Sequence, residues 1–413
     1  MKIPRISRLT VKQPLTPLSL SIAYLSLALC APGAIAQRMP GSELNLNDEA
    51  ANPASSSPVA YVYVSHLLGD AGSKAEVLAY AASPTGTLTP VPGSPFADNV
   101  GYLTGNGKYL FGSTGTDIET YAIESNGALQ YASSINAISI DSGRGSVGWI
   151  FTDRTGKTLY NMDQWGSPQG NSEGPDNTYQ QFSVDQSTGK LAYLGLAGAN
   201  DQIYDSPSFT ANNQFVYSSN CHNWEPSIYG FKRSSSGKLT ELNINPPIPD
   251  APEKGDWYCP WLAASDSFGH LAVPMQAFSV YKALFGPYAL AVYTVSSTGD
   301  LTTTSTTENM PTANMGAITA LSASPAGNLL AVAGTYGLQV FHFNGADPIT
   351  PYTGMLTSTE VDEIFWDNDN HLYGISYDWN KLFVFTVTPT GYSQAPGSPY
   401  KVNGPLGLQG LPL

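Results

Sequence analysis

VLAYAASPTGTLTPVPGSPF, from Val77 to Phe96, is the stretch of this chain that decides its fold. Its β-branched and aromatic residues predict a strand before and after a tight Pro-Thr-Gly turn, in which Gly86 supplies the positive φ of a hairpin. A Pro-Gly-Ser-Pro segment follows. LFVFTVTPTGYSQAPGSPY, from Leu382 to Tyr400, has the same order of features, and such self-similarity indicates a repeat protein.

The turn glycine of this hairpin recurs along the chain, as Gly86, Gly127, Gly189, Gly237, Gly299, Gly345 and Gly391. The steps between them are 41, 62, 48, 62, 46 and 46 residues. These steps lie in the range of the four-stranded blades of β-propellers. The spacing therefore predicts seven units.

A strand, a tight polar turn and a second strand precede every hairpin except the first, as in GYLTGNGKYLFG from Gly101 and DEIFWDNDNHLYGIS from Asp362. Each unit then has four strands, and no window shows the 3.6-residue period of an amphipathic helix. We expect an all-β fold, a seven-bladed β-propeller with four antiparallel strands per blade and almost no helix.

The first unit lacks its entry strand, because only a polar segment precedes Tyr61. The missing strand is predicted at the other end of the chain, in GPLGLQGLPL from Gly404 to Leu413. Pairing beside Tyr61 to Ser65 would close blade one and leave no exposed sheet edge. The propeller domain is therefore predicted over residues 58–413.

Residues 1–36 have the features of a secretory signal peptide, with a basic start, an apolar core from Leu18 to Leu29 and the small-residue cleavage site Ala34-Ile35-Ala36. Cys30 leaves a lipidated anchor as the alternative. Residues 37–57 are polar and aperiodic, which predicts a flexible linker. No other run is long and apolar enough for a membrane helix, so we expect a secreted or periplasmic protein without membrane insertion.

The charge balance excludes several classes of partner. The whole chain carries a formal charge of −14, and removal of the signal's four cations would make it −18. A surface so poor in cations has no basic footprint for nucleic acid or anionic membranes. Phosphorylated substrates are disfavoured for the same reason.

Two cysteines follow the predicted signal peptide, Cys221 and Cys259. In an oxidising compartment an even pair favours a disulfide. The alternative is two buried free thiols.

The segment YVYVS from Tyr61, followed by SPTGTLTPVPGSPF, resembles the bacterial lactonase-type seven-bladed β-propeller family, which includes 6-phosphogluconolactonase-like exported propellers. The resemblance extends from about Pro58 to the end of the sequence and implies the propeller architecture. Family enzymes are thought to use His, Arg and acidic side chains in the central pocket. No such set aligns here, so no catalytic residue is carried over.

In a propeller the loops between second and third strands, and the connections between blades, lie on one face, here called the upper face; the other two turns lie on the lower face. The lower-face turns are short in this sequence, and the long inserts fall on the upper face, where binding loops of repeat proteins collect. Aromatic and acidic residues from units three to five predict a site there for a polar, ring-shaped ligand: Trp165, Glu173, Asp201, Tyr204, Asp205, Trp224, Asp256, Trp257 and Tyr258. The alternative is that these aromatics pack between blades and the acids are merely solvated.

His222, with Glu225 three residues later, is the candidate general base for attack of water on a lactone carbonyl. No G-x-S-x-G motif indicates a serine nucleophile. Glu173, Asp201, Asp205 and Asp256 are the carboxylates available for calcium, but no DxDxDG-type loop occurs. We therefore predict no cofactor, with calcium left as an alternative.

Two hypotheses of function remain, because no motif names a reaction. The first is an exported, monomeric propeller whose upper face binds a glycan or a protein partner without catalysis. The second is a lactonase-like hydrolase that acts on a sugar lactone in the central pocket. An enzyme should present ionisable side chains with perturbed pKa values at the mouth of the central channel, whereas a scaffold should present small or apolar groups.

Overall fold

The computed structural model describes residues 57–68, 74–96, 99–140, 147–162, 179–197, 206–222 and 225–413. The predicted signal peptide and all but the last residue of the predicted linker lie outside these ranges. The described residues form small antiparallel sheets around a common axis, and the prediction of a seven-bladed propeller is confirmed.

Blades one to four are built largely from strands that follow one another in the chain. They contain β1 (Ala60–Leu67), β2 (Ala75–Ala82), β3 (Leu88–Pro90), β4 (Leu103–Gly105), β5 (Tyr109–Ser113), β6 (Asp117–Ile123), β7 (Leu129–Asn136), β8 (Ile150–Thr152), β9 (Thr158–Met162), β10 (Tyr179–Val184), β11 (Leu191–Leu196), β12 (Ser208–Phe209), β13 (Phe215–His222), β14 (Glu225–Arg233) and β15 (Leu239–Leu242).

Blades five to seven follow, and the last strand returns to blade one. These strands are β16 (Trp257–Pro260), β17 (Ala264–Ser265), β18 (His270–Ser279), β19 (Ala283–Val295), β20 (Leu301–Thr302), β21 (Thr312–Ala313), β22 (Ile318–Ala323), β23 (Leu329–Gly334), β24 (Gly337–His342), β25 (Thr350–Thr357), β26 (Glu363–Trp366), β27 (His371–Ser376), β28 (Lys381–Thr388), β29 (Gly391–Gln394), β30 (Tyr400–Lys401) and β31 (Pro405–Pro412).

Blade one closes as the sequence predicts. Its strand order is β3-β2-β1-β31, and β31 pairs antiparallel with β1 from Ala60 opposite Pro412 to His66 opposite Pro405. The innermost strand of this blade therefore comes from the C-terminal part of the chain. One edge of β31 is paired with β1, and its other edge is left facing the axis of the ring.

The hydrophobic core of the described residues consists of seven clusters, one at each interface between neighbouring blades. Blades one and two, for example, share a cluster that includes Tyr63, Val77, Leu103 and Leu110. Each sheet thus buries both of its faces, which is why the strands in the middle of the blades are almost continuously apolar. Burial of this kind supplies most of the stability of a fold.

The repeated hairpin glycines hold neighbouring blades together on the lower face. The Tyr63 hydroxyl in blade one donates to the carbonyl oxygen of Gly127 in blade two at 3.0 Å. Tyr217 in blade four likewise donates to the Gly299 carbonyl in blade five at 2.7 Å. Gly127 has a φ of 83°, and a Cβ there would lie 2.4 Å from the Tyr61 ring. Six of the seven recurring glycines contact the neighbouring blade, whereas no atom lies within 4 Å of a Cβ added at Gly391.

Helix is almost absent among the described residues, as expected: α1 spans only Ala137–Ile140. Within that part of the chain, no helix is long and apolar enough to cross a membrane.

Candidate functional site

The upper mouth of the central channel brings together side chains from several blades. Glu363 begins β26, the innermost strand of blade seven, and its Oε2 atom accepts a hydrogen bond of 2.7 Å from the main-chain N–H of Leu408 in β31. Because the opposite edge of β31 is occupied by β1, this N–H belongs to the edge that faces the axis. The Glu363 carboxyl group therefore lies at the axis of the ring.

The surroundings of Glu363 favour its protonated form. Burial raises its pKa, the hydrogen bond from Leu408 lowers it, and the neighbouring Asp362 carboxylate raises it further, to a value of about 8. The loss of hydration on burial is the largest cause, since a carboxylate is more costly to desolvate than a carboxylic acid. Glu363 is thus an acid that exchanges its proton close to neutral pH.

Tyr102 and Trp149 complete this group from blades two and three. Their rings meet edge to face, with centroids 5.6 Å apart. Burial raises the pKa of Tyr102, a hydrogen bond from the Trp149 side chain lowers it, and the nearby Glu363 carboxyl raises it. Because its pKa is raised overall, the Tyr102 hydroxyl keeps its proton at neutral pH and can donate a hydrogen bond.

Tyr102, Trp149 and Glu363, together called the channel-mouth group, occupy one equivalent position of the repeat. Each stands four residues before the residue that opens the first lower-face turn of its blade. The turn residues are Asn106, Asp153 and Asp367. In all three blades the main-chain N–H of the turn residue donates to the carbonyl oxygen of the first residue of the next strand, at 2.9 to 3.0 Å. The propeller geometry therefore carries equivalent positions of distant segments to one end of the channel.

Three further carboxylates lie on the upper face beside Glu363. The Asp362 Oδ2 atom accepts a hydrogen bond of 2.7 Å from the Tyr377 N–H. Burial raises the pKa of Asp362 and so does the Asp378 carboxylate, while the Tyr377 bond lowers it. Glu360 has its pKa raised by burial and by both aspartates. The mouth is therefore acidic on the side of blade seven.

The predicted disulfide is confirmed: Cys221 at the end of β13 is bonded to Cys259 in β16, with 5.1 Å between the Cα atoms. It links blade four to blade five. His222 and Glu225, the predicted base and its partner, face each other as the last pair of β13 and β14. The structure fixes only their main-chain positions, and their catalytic role stays a prediction.

The other predicted ligand-binding residues fall into two groups. Tyr258 is buried in the cluster between blades four and five, and Trp257 packs against Phe278 with ring centroids 4.8 Å apart. The Asp256 N–H donates to the Glu253 carbonyl oxygen at 3.1 Å. The remaining residues lie outside the described residues: Trp165, Glu173, Asp201, Tyr204, Asp205 and Trp224.

The lower-face turns hold two histidines that the site does not use. His371 Nδ1 lies 2.7 Å from Asp367 Oδ2, and His270 Nδ1 lies 2.6 Å from Asp266 Oδ2. In both turns the same aspartate also accepts the histidine's main-chain N–H. These pairs organise the turns and lie away from the upper mouth.

Among the described residues, no group of three or more His, Cys, Asp or Glu side chains is arranged to hold a metal ion. Two surface clefts, of about 400 and 360 Å³, lie at the outer part of blade four and on the lower face between blades four and five. Glu241 and Tyr229 are the ionisable residues that line them, and Glu241 is their one carboxylate. The channel mouth is therefore a better candidate for an active site than either cleft.

No protein-family model and no curated protein matches the chain. Solved structures do match in fold. A putative 6-phosphogluconolactonase from Bacteroides fragilis aligns with a TM-score of 0.58 at 14% identity, over 85% of this chain and 97% of its own. The periplasmic gluconolactonase of Pseudomonas aeruginosa aligns with the same score and identity, over 85% and 98%. At such low identity the likeness establishes the lactonase-type propeller fold alone.

Proposed function

We propose that this protein hydrolyses a cyclic ester, a sugar lactone, at the upper mouth of its central channel. The observation that carries the proposal is the position of Glu363, a carboxyl group bonded to Leu408 at the axis, with a pKa of about 8 and within electrostatic reach of Tyr102. Perturbed ionisable groups that converge on a concave site from separate elements are typical of active sites.

The channel-mouth group has the parts that ester hydrolysis needs. Water adds to the lactone carbonyl carbon, and the ring carbon–oxygen bond breaks. Glu363 in its protonated form gives a proton to the departing ring oxygen and recovers one from the attacking water, so that the product is the open hydroxy acid.

Tyr102 has a second role in this scheme. The Tyr102 hydroxyl donates a hydrogen bond to the substrate, while its ring is held edge to face against Trp149. A fixed donor aimed at the carbonyl oxygen stabilises the negative charge that develops there, the most effective kind of transition-state stabilisation in acyl transfer. Its raised pKa keeps this proton in place at neutral pH.

Support for hydrolysis over binding alone comes from the character of the mouth. A scaffold should have a mouth of small or apolar groups, but this one holds four carboxyl groups and a tyrosine. The names of two structural neighbours, a putative 6-phosphogluconolactonase and a gluconolactonase, agree with this choice.

The test is hydrolysis of a panel of aldonolactones, with and without calcium, after subtraction of the spontaneous rate. We expect turnover by the wild-type protein, a loss of at least 100-fold in kcat for Glu363→Gln, and a smaller loss for Tyr102→Phe. Glu241→Gln, at the outer cleft of blade four, is the matched control and should keep full activity. A wild-type protein that does not exceed the spontaneous rate for any lactone overturns the proposal.

Binding of a glycan or a protein partner without catalysis is the second candidate. It is favoured by large aromatic side chains exposed on the upper face, among them Tyr336 at 66% and Trp379 at 59% exposure. Calorimetric binding of an unmodified glycan, with no turnover of any lactone, would decide for it. For either function we infer export, because a disulfide between blades is compatible with an oxidising compartment.

A further inference from the structure

The upper face of blade seven extends the channel mouth outward. The blade-seven rim consists of Glu360, Asp362, Tyr377, Asp378 and Trp379, from the connection that enters the blade and from the turn between β27 and β28. Asp362 ties the two segments together by accepting the Tyr377 N–H. Since Asp362 directly precedes Glu363, the rim is continuous with the proposed proton donor.

The carboxylates of the rim act on one another. Asp378 raises the pKa of Asp362, and both raise that of Glu360. This coupling places the three groups within electrostatic reach, where their negative potentials add.

Two lysines lie near the rim, and one of them contacts its Trp379 ring. The Lys381 ammonium is 5.7 Å from the centre of the Trp379 ring and 5.6 Å from that of Phe383, and 3.5 Å from the Thr359 hydroxyl. Lys401 is exposed and lies opposite Lys381 in the pairing of β30 with β28, on the outer side of the blade. Neither lysine forms an ion pair with a rim carboxylate.

The rim also offers aromatic surface. Trp379 is 59% exposed and Tyr377 43%. Aromatic faces beside carboxylate acceptors are a combination that binds polyhydroxylated rings, because the C–H face of a sugar stacks on the aromatic ring while its hydroxyl groups donate to the carboxylates. An exposed apolar surface of this kind is typical of ligand-binding sites.

We infer that the blade-seven rim selects uncharged sugar lactones and excludes phosphorylated and other anionic ones. The inference rests on the proposed function, because only a lactone bound at the channel mouth would have its reacting carbonyl group beside the rim. A phosphoryl group would enter the combined field of three carboxylates, whereas a hydroxyl group can donate to any of them. The same field acts on the product: hydrolysis creates a carboxylate next to the rim, and repulsion speeds its departure.

The experiment compares kcat/KM for an aldonolactone and its phosphorylated counterpart at low and at high ionic strength. We expect at least a 10-fold preference for the uncharged lactone at low salt and a clear narrowing of that ratio in 0.5 M salt, on the order expected when exposed charges are screened. The double variant Glu360→Gln/Asp378→Asn should narrow the ratio at low salt in the same way. Glu241→Gln should leave it unchanged.

Trp379→Ala tests the stacking surface separately. It should raise KM for the uncharged lactone several-fold with little change in kcat, since Trp379 touches the substrate away from the reacting bond. Equal kcat/KM values for the two lactones would overturn the proposed selection. So would a ratio of kcat/KM values that changes neither with salt nor in the double variant. Neither result would contradict the proposed hydrolysis.

A binding measurement keeps the selection testable apart from turnover. An uncharged aldonolactam, which cannot be hydrolysed at the same rate, should bind the wild-type protein more tightly than its phosphorylated counterpart in calorimetry. If no lactone is hydrolysed but the uncharged lactam still binds more tightly, the proposed hydrolysis is refuted and the proposed selectivity of the rim is supported. Preference for the phosphorylated lactam would refute the rim.

Discussion

Glu363 Oε2 and the Leu408 N–H, 2.7 Å apart, join the innermost strands of blades seven and one across the closure of the ring. One hydrogen bond therefore serves the architecture and the proposed chemistry together. It fixes the carboxyl group at the axis and satisfies a main-chain donor that would otherwise face the channel unpaired.

The titration of Glu363 should appear in the pH dependence of stability. Its pKa rises from an ordinary 4.5 to about 8 in the folded protein. The folded state then binds more protons than the unfolded state between these values, so the free energy of unfolding falls as pH rises through that range. Glu363→Gln should be more stable relative to wild type at pH 9 than at pH 5, in urea denaturation at both values. A difference that does not vary with pH would contradict the assignment, and Glu241→Gln serves as control.

Removal of residues 405–413 should abolish cooperative folding. It deletes β31, exposes the inner edge of β1 and removes the Leu408 N–H. Far-ultraviolet circular dichroism during a thermal scan should show no transition, or one lowered by tens of degrees. Deletion of Leu413 alone, which spares β31, should have a small effect. A shortened chain with an unchanged melting temperature would disprove this mode of closure.

Loss of the disulfide should destabilise the protein by about 4 kcal/mol, the loop-closure value for two residues separated by 38 positions. The double variant Cys221→Ser/Cys259→Ser and the wild type in excess reductant should agree in denaturant titrations. Mass spectrometry without reductant should find two hydrogens fewer than in the reduced form. Two titratable thiols in the untreated protein would refute the bond.

Gly410→Ala should destabilise the ring closure by about 1–3 kcal/mol, the usual cost of overpacking. A Cβ at this position would lie 1.9 Å from Cε1 of Phe365, across the interface of blades one and seven. Gly354→Ala is the matched control, because no atom lies within 4 Å of its added Cβ. Equal melting temperatures for the two variants would show that Phe365 can move aside.

The architecture was accessible from the sequence because its signals are local and repeated. Six of the seven hairpin glycines contact the neighbouring blade, and Gly391 is the exception, so the fold favours a glycine at nearly every repeat. The entry strand missing before Tyr61 could be found near Leu408 for the same reason. The disulfide between Cys221 and Cys259 could be predicted because the repeat places both residues on the same face in adjoining blades.

The channel-mouth group could not be predicted in that way. Tyr102, Trp149 and Glu363 lie in segments up to about 260 residues apart, and each belongs to an entry motif that the sequence explains fully as strand. Their chemistry arises only when the ring brings equivalent positions together. One signal was available: alignment of the entry motifs on their turn residues places two aromatics and a glutamate at a single position.

The closure of blade one also has a consequence for timing. Among the described strands β31 comes last in the chain, yet it holds Glu363 through Leu408. The proposed proton donor therefore gains this hydrogen bond only after β31 has been synthesised and has docked beside β1. Under the proposed function, lactone turnover would serve as an assay for complete closure of the ring.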